Sequence, residues 1–254
     1  MTELRTSLVD AFQRYFEIVS AETPALQRAA QEIRFQVYCR ELRYEAAEGF
    51  PDGCETDGYD RQSKHCLLRH RPSGSFAGCV RLVLNDLSDP QGLLPFEHHC
   101  GQSLDRGIVD TRRLPKGSFG EISRLAVVSR FRRRAGEQSS AHGVGEEAPE
   151  TTPDERRIFP HIAVGLYLAA AALGLREGLN RVFVMMEPRL ARHMRRYGIV
   201  FTQAGNVIDY HGQRGPFFIT REDLYSHLQP EVRGLLELIY GKVCGQDVRL
   251  GDRE

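Results

Sequence analysis

Charged side chains inside apolar stretches are the first candidates for chemistry in this 254-residue sequence. Arg81 lies in FAGCVRLVL, and Glu121 and Arg124 lie in EISRLAVV, two runs that otherwise predict buried β-strands. Taken one at a time, each charge could be a strand-end residue facing solvent or one half of a structural ion pair. An unpaired charge is costly to bury, however, so these residues are expected to have partners or ligands.

Two further segments could complete a site with these charges. Arg34 and Tyr38 lie four residues apart in RFQVYCRELRYE, so they are neighbours on one face of a predicted helix. The acidic, Gly-rich segment GFPDGCETDGYD follows and carries Asp57 and Asp60. Taken with the charges on the strands, these residues favour one convergent polar site over scattered surface charges.

Hydrophobic periodicity predicts the elements that position these residues in the first half of the chain. A helix within residues 1–23 is indicated by apolar residues at helical intervals: Leu4, Leu8, Phe12, Phe16 and Val19. A second helix is predicted from Pro24 to Leu42, and a tight acidic loop from Glu48 to Asp60. HCLLRH and FAGCVRLVL, separated by PSGS, are predicted to form a hairpin, and EISRLAVV a further strand.

Strands and helices alternate in the second half of the chain. The polar residues 132–157 are predicted to form a long mobile insertion. The elements predicted after it are an Ala/Leu-rich helix at 159–178, the strand RVFVMM, the basic helix RLARHMRRYG, the strand pieces FTQAGNVIDYHG and RGPFFIT, and a terminal helix near 222–238 with a tail to 254. This order predicts a single α/β domain over residues 1–254, with a mixed sheet flanked by helices.

Composition and charge argue against several classes of function. Apolar residues make up 41% and charged residues 27% of the chain, as in ordinary folded domains. The 34 Lys and Arg residues balance 34 Asp and Glu residues, so no global field would attract nucleic acid or an anionic membrane. No apolar run approaches the ~20 residues of a membrane span, and the charged N-terminus lacks the apolar core of a signal peptide. We therefore predict a cytoplasmic protein that neither binds nucleic acid nor spans a membrane.

The cysteine and histidine pattern does not predict a metal site. The six cysteines include no CxxC pair, and His98-His99-Cys100 is not followed by a second cluster. Several of the cysteines lie in apolar strand or helix patterns, which favours buried free thiols.

Four segments, in order and with compatible spacing, resemble a known family: RFQVYCRELRYE, ETDGYD followed by SKHCLL, GCVRLV, and EISRLAV. They resemble the autoinducer-synthase-like branch of the GNAT acyltransferase superfamily, to which acyl-homoserine-lactone synthases belong. VYCREL, FPDG, E-x-D-x-YD and H-x-L look most similar to the N-acyl amino acid synthases associated with the PEP-CTERM/exosortase system. The resemblance covers roughly residues 25 to 220. It implies a GNAT-like acyl-CoA N-acyltransferase fold, in which the central strands of a twisted mixed sheet splay apart and leave a V-shaped slot for the donor's pantetheine arm.

The resemblance also implies which side chains line the acyl-transfer cleft. They are Arg34, Tyr38, Asp57, Asp60, Arg81, Glu121 and Arg124. Of these, Arg34, Asp57 and Asp60 are expected to organise the acceptor side.

Amide formation suits this set of residues. An amino acid must lose a proton before its nitrogen attacks a thioester, and Glu121 could accept that proton. Arg81 or Arg124 could bind the acceptor's carboxylate. On an ideal strand, residues three apart face opposite sides, so Glu121 and Arg124 can share a cleft only across a β-bulge. Backbone N–H groups are the simplest donors to the thioester oxygen, and those expected are on Leu125, Ala126 and Val127.

Two departures from the family pattern bear on the substrates. Homoserine-lactone synthases usually carry a tryptophan just after the EL pair, whereas this chain has Tyr44 and no tryptophan, which disfavours lactone formation. GNAT acetyltransferases hold the pyrophosphate of coenzyme A on a Gly-rich turn, but this chain has FRRRAGEQSSAHG at that place, a poor phosphate cradle. The second departure favours an acyl carrier protein thioester, an acyl-phosphopantetheine, over acyl-CoA as the donor.

The basic helix could bind that carrier protein. Its arginines could equally form an ordinary solvated face, or they could be a docking surface that steers an acidic partner. They are Arg189, Arg192, Arg195 and Arg196.

The predicted function is transfer of a long-chain fatty acyl group from the carrier thioester to the α-amine of an amino acid. No metal and no permanently bound cofactor is required. Three alternatives remain open: an acyl-homoserine-lactone synthase that uses S-adenosylmethionine, a coenzyme A-dependent acetyltransferase, and a non-catalytic GNAT-like lipid-binding module.

Overall fold

The computed structural model describes residues 7–89, 91–132 and 158–245, and an eight-stranded mixed sheet lies at their centre. The strands are β1 (Phe16–Ser20), β2 (Ser63–His70), β3 (Phe76–Leu84), β4 (Phe119–Val127), β5 (Arg181–Met186), β6 (Thr202–Gln203), β7 (Ile208–Asp209) and β8 (Gln213–Thr220). Their order in the sheet is β1-β2-β3-β4-β5-β8-β6, and β7 pairs with β8. All neighbours are antiparallel except β4 and β5, which run parallel. The predicted mixed sheet and the β2–β3 hairpin are confirmed.

Helices cover both faces of this sheet. They are α1 (Leu8–Tyr15), α2 (Pro24–Arg34), α3 (Pro95–Cys100), α4 (Ile162–Arg176), α5 (Pro188–Arg195), α6 (Arg221–His227) and α7 (Pro230–Cys244). Among the residues described, none of these helices is long and apolar enough to cross a membrane.

The alternation along β3 divides the core between the two faces. Val80 and Leu82 pack with α1, α4 and α7 in the larger apolar cluster. Cys79 and Ala126 face the other way and pack against α2 in a smaller cluster. Because Arg81 lies between Val80 and Leu82, strand alternation turns its side chain towards the α2 face.

The parallel pair β4 and β5 separates part of the way along. The two strands pair from Phe119 with Arg181 as far as Ile122 with Val184, although β4 continues to Val127. The unpaired part of β4 therefore borders a gap in the middle of the sheet, which is the splayed arrangement that the family resemblance implied.

A β-bulge interrupts the pairing of β3 with β4 next to this gap. Cys79 pairs with Ala126, but Arg81 pairs with Ser123, so two residues of β4 lie opposite Val80. One of the two, Arg124, has the left-handed backbone angle φ of 49°. The extra residue reverses the alternation once, so that Arg124 reaches the same face as Glu121. The bulge required by the sequence argument is present.

A π-helical segment, Phe35–Glu41, continues α2. The single helix predicted from Pro24 to Leu42 is therefore α-helical only as far as Arg34. Such wide turns are uncommon and often occur at functional sites. This one carries Tyr38 towards the sheet, where the side chain is buried.

The structure corrects the two predicted terminal helices. The N-terminal helix ends at Tyr15, and Phe16–Ser20 forms strand β1 paired with β2, so the predicted span 1–23 was wrong there. The terminal helix predicted near 222–238 is two helices, because Pro230 has no N–H to continue the first and instead begins α7. Apart from Arg132, the predicted insertion at 132–157 lies outside the described residues, as does the tail after residue 245.

Candidate active site

A solvent-open cleft of about 850 Å³ lies where β4 and β5 part. It extends from the α2 face of the sheet through the gap as far as Tyr167 of α4. The polar side chains that line it include Tyr38, Glu45, Asp57, Arg81, His99, Glu121, Arg124, Tyr167, His211 and Arg214. Most of the predicted site residues thus meet in one cleft.

Arg34 is the most deeply buried charge beside the cleft, with a side-chain exposure of 0%. Its Nε donates to Glu55, and its Nη1 donates to Asp60 at 2.5 Å. Arg34 and Asp57 were expected to be partners, but no direct contact joins them, because Asp57 binds Arg81 instead. The predicted pairing of Arg34 with the acidic segment is confirmed for Asp60.

The strand arginines complete an ion-pair network with the same carboxylates. Arg81, 1% exposed, donates from Nη1 to Asp57 at 2.7 Å and to Asp60 at 2.9 Å. Arg124 donates from Nη2 to Glu55 at 3.1 Å and lies 3.5 Å from Asp57. A fixed orientation of Arg81 follows from a third bond, from its Nε to the Ser123 hydroxyl at 3.0 Å.

Three arginines are therefore paired with three carboxylates, of which Glu55 is buried and Asp57 and Asp60 are partly exposed. Burial opposes ionisation of Glu55, but the positive charges of Arg124 and Arg34 outweigh it and hold the pKa of that carboxyl below its usual value. The pKa values of Asp57 and Asp60 are also lowered, because hydrogen bonds from arginine outweigh the effect of burial. All three acids are thus charged at neutral pH, and each is paired with at least one arginine of the network.

Glu55 was missed by the sequence reasoning as a site residue. Its side chain is 1% exposed and bridges Arg34 to Arg124. The available signal was its position two residues before Asp57 in ETDGYD, inside the acidic segment already singled out. The segment's proline and glycines indicated a solvated loop, which concealed how deeply this carboxylate is buried.

Glu121 lies in the same cleft but outside the network. Its side chain is buried, and the Phe96 N–H donates to its Oε2 at 2.8 Å. Burial raises the pKa of Glu121 to about 8, and neither the hydrogen bond from Phe96 nor the charge of Arg81 offsets it. A carboxyl that titrates near neutral pH is suited to take up and release a proton.

Tyr38 fixes the bulge from the α2 side. Its hydroxyl donates to the Leu125 carbonyl at 2.9 Å, and its ring lies under the Arg124 guanidinium, 5.5 Å from the ring centroid. Burial raises the pKa of Tyr38, so the hydroxyl remains a donor. The residue therefore belongs to the cleft wall, as predicted.

Backbone N–H groups of β4 border the gap. Val128 donates its N–H to the Ala77 carbonyl of β3 at 2.9 Å, and N–H directions alternate along a strand. The N–H of Ala126 therefore also points towards β3, whereas those of Leu125 and Val127 point away from it. Of the three predicted oxyanion donors, the geometry therefore favours Leu125 and Val127 over Ala126.

The basic helix α5 begins two residues after β5 ends, next to the gap. Its predicted docking residues Arg189, Arg192, Arg195 and Arg196 are all exposed. Arg189 pairs with Glu187. No group of three or more His, Cys, Asp or Glu side chains arranged to hold a metal ion occurs among the described residues.

A mixed sheet whose parallel central strands part over a charged cleft defines a GNAT-like fold. In agreement, residues 33–141 match the acetyltransferase (GNAT) domain family. A comparison with curated protein sequences gives no match.

Solved structures that share this fold include two acyl-homoserine lactone synthases and an N-acyl amino acid synthase. The AHL synthase LasI is 17% identical, with a TM-score of 0.53 over 84% of this chain and 95% of that one. The CoA-dependent acyl-homoserine lactone synthase BjaI, with MTA, is 17% identical, with a TM-score of 0.54 over 92% of this chain and 91% of that one. FeeM, an N-acyl amino acid synthase from uncultured soil microbes, is 14% identical, with a TM-score of 0.50 over 84% of this chain and 94% of that one. The predicted fold class is confirmed, and the matched domain supports an N-acyltransferase.

Proposed function

We propose that this protein transfers a long-chain fatty acyl group from an acyl carrier protein thioester to the α-amine of an amino acid. The observation that carries the proposal is Glu121, a buried carboxyl with a pKa of about 8 in the cleft where β4 and β5 part. The ionised form of this carboxyl, whose share grows as pH approaches 8, can take a proton from an amine, and such general-base catalysis contributes roughly 10²–10⁴-fold to the rate.

The reaction would proceed by addition and elimination at the thioester carbon. Glu121 takes one proton from the ammonium group, and the nitrogen lone pair then forms the new C–N bond. The N–H groups of Leu125 and Val127 stabilise the negative oxygen of the tetrahedral intermediate. The C–S bond breaks as the carbonyl re-forms, the sulfur leaves as a thiol with one proton, and a second proton passes to solvent.

Tyr167 supports the position of the thioester in the gap. Its hydroxyl is buried and has no hydrogen-bond partner in the part of the chain that the structure describes. The residue lines both the cleft and a small apolar cavity, open to solvent, between the sheet and α4. A departing sulfur at this junction could accept a hydrogen bond from it, and the acyl chain could continue into the apolar cavity beside Val182 and Ile219.

The choice of donor rests on the residues after β4 and on α5. Ser129–Phe131 form a short 3₁₀ turn. Phe131 is buried and Arg132 is paired with Glu41, so these two residues are occupied in packing and pairing rather than open to a pyrophosphate. The exposed arginines of α5 lie beside the gap, where an acidic carrier protein could deliver its pantetheine arm. A cytoplasmic location and the narrower link to the PEP-CTERM/exosortase system stay predictions.

Mass spectrometry of lipid extracts tests the reaction. Cells expressing the protein should accumulate an N-acyl amino acid, and cells expressing Glu121→Gln at the same level should not. An acyl lactone formed with consumption of S-adenosylmethionine would replace the proposal by homoserine-lactone synthesis. Absence of any acylated amine would favour the lipid-binding module.

Kinetics with two donors test the carrier. We expect acyl carrier protein thioesters to be used at lower concentration than the matching acyl-CoA. Reversal of charge at Arg192, Arg195 and Arg196 should raise KM for the carrier thioester about tenfold or more and leave that for acyl-pantetheine unchanged. Arg113→Glu is the control, because Arg113 is an exposed arginine outside α5. Equal effects on both donors would contradict docking at α5.

A further inference from the structure

One arginine of the cleft, Arg214, has no carboxylate partner among the described residues. Arg214 lies on β8 and lines the cleft, and its Nε and Nη2 atoms are buried without a hydrogen-bond partner among the described residues. Within that part of the chain, no Asp or Glu forms a salt bridge with it. Its guanidinium lies 5.8 Å from the ring centroid of Tyr44, a contact that leaves the hydrogen-bonding edge free.

The unpartnered atoms form the side edge of the guanidinium. On that edge the Nε–H and one Nη2–H are parallel, and this pair matches the two oxygens of a carboxylate. Leaving two such donors buried and unsatisfied is costly, so the arrangement is suited to a ligand that supplies both acceptors.

The other cleft arginines are already occupied. Arg81 and Arg124 were expected to bind the acceptor's carboxylate, but their donors bind Asp57, Asp60 and Glu55. A substrate anion would have to displace one of these carboxylates from its arginine, which leaves the displaced charge uncompensated. The ion-pair network is therefore better suited to hold the cleft's shape than to bind substrate.

The titratable groups near Arg214 do not neutralise its positive charge, which can therefore attract an anionic ligand. Burial lowers the pKa values of His99 and His211, and burial raises that of Glu121, so these neighbours in the cleft are largely uncharged near neutral pH. Of the other carboxylates that line the cleft, Asp57 binds Arg81 and Glu45 lies 3.6 Å from Arg124. Asp209 lies on β7, which pairs with β8, and its side chain is exposed.

We propose that Arg214 binds the α-carboxylate of the acceptor amino acid through its Nε and Nη2 atoms. This inference rests on the proposed function, because it assigns the acceptor's two ends to two residues. Arg214 holds the carboxylate, and Glu121 receives the proton from the amine. The acceptor class is then an amino acid with a free carboxylate, rather than a simple amine or an amino acid amide.

Acceptor kinetics test this assignment. The wild-type enzyme should prefer the amino acid found by product analysis to its carboxamide. Arg214→Gln should lower kcat/KM for the amino acid by about 10- to 100-fold, mainly through KM, and change that for the carboxamide by less than about threefold. Arg214→Lys should retain part of the preference for the amino acid over its carboxamide, because lysine keeps the positive charge but lacks the two parallel N–H donors of the guanidinium. Arg113→Gln serves as the surface control. An equal loss on both acceptors, or an unchanged preference in Arg214→Gln, would overturn the assignment.

A binding measurement separates this inference from the proposed reaction. Calorimetry with N-dodecanoyl derivatives of the standard amino acids and with their carboxamides does not require turnover. If the wild type forms no amide with any acceptor, the proposed function fails. A preference for the carboxylate ligand that Arg214→Gln abolishes would still support Arg214 as its binding residue. Equal affinity of the wild type for both ligands would refute it.

Discussion

Replacing Glu121 by Gln should stabilise the protein while inactivating it. The substitution keeps an oxygen that can accept the Phe96 N–H bond and removes only the ability to ionise. The carboxyl has its pKa raised by burial from 4.5 to about 8. Above pH 4.5 the unfolded chain loses a proton that the folded protein keeps, so ionisation of Glu121 favours unfolding more strongly as pH rises towards 8.

The size of the effect follows from this range. Each pH unit between the two pKa values changes the free energy of unfolding by about 1.4 kcal/mol. Between pH 5 and pH 7.5 the wild type should therefore lose about 3 kcal/mol relative to Glu121→Gln. For a protein of this length that difference corresponds to about 6–12 °C in Tm. The acids of the ion-pair network are the same in both proteins, so their contributions cancel in the difference.

Thermal unfolding of both proteins from pH 5 to pH 8 is the assay. The difference in Tm should be small at pH 5 and should grow steadily in favour of the variant. Acyl transfer by the wild type should rise with pH as Glu121 ionises, and near pH 8 it should exceed that of the variant by roughly 10²–10⁴-fold. Glu237→Gln, at an exposed position on α7, controls for the loss of a carboxylate. A Tm difference that is independent of pH would show that Glu121 is not a neutral buried carboxyl, and the argument for it as the base would fall.

Three further substitutions probe the scaffold of the site by urea denaturation. Glu55→Gln leaves Arg34 and Arg124 short of a buried partner and should cost about 3–5 kcal/mol of stability; a cost below 1 kcal/mol would mean that the network relaxes without Glu55. Arg124→Gly should be about 1 kcal/mol more stable than Arg124→Ala, because both variants lose the same ion pair but only Ala is strained at φ of 49°. Equal stabilities of the two variants would argue against the left-handed bulge. Gly78→Ala should lower the free energy of unfolding by about 1–3 kcal/mol, since the added Cβ would lie 2.5 Å from the Ala126 carbonyl oxygen. No change in stability would mean that β3 and β4 are less closely paired than described.

The sequence predicted the fold where the signal was local. Alternation in β2 and β3 with a short turn predicted the hairpin, and the Ala/Leu-rich run predicted α4, which is apolar on all sides because it packs between the sheet and α7. Phe16 and Val19 fitted the helical spacing of α1 equally well, so only pairing with β2 could decide that they belong to a strand. That pairing is a contact between distant parts of the chain, which periodicity does not report.

The sequence predicted which residues belong to the site better than it predicted which of them pair with each other. A charge in an apolar strand singled out Arg81 and Glu121, and the structure buries both. Which carboxylate binds which arginine depends on how the acidic segment turns, so Glu55 was overlooked. Arg214 gave little sequence signal, because it stands at the polar start of RGPFFIT, and its lack of a partner is a property of the folded cleft alone.

The bulge at Arg124 adds a side chain to the cleft without changing which way the neighbouring residues of β4 face. Without this one residue, Ser123 would still face Arg81 and Leu125 would still face the larger core, as both do now. Arg124 is thus equivalent to a single-codon insertion into a regular strand. Deleting that codon would restore simple alternation along β4 and remove one cationic side chain from the cleft. In sequence alignments, a one-residue gap at this position would therefore mark chains that keep the sheet and lose this part of the site.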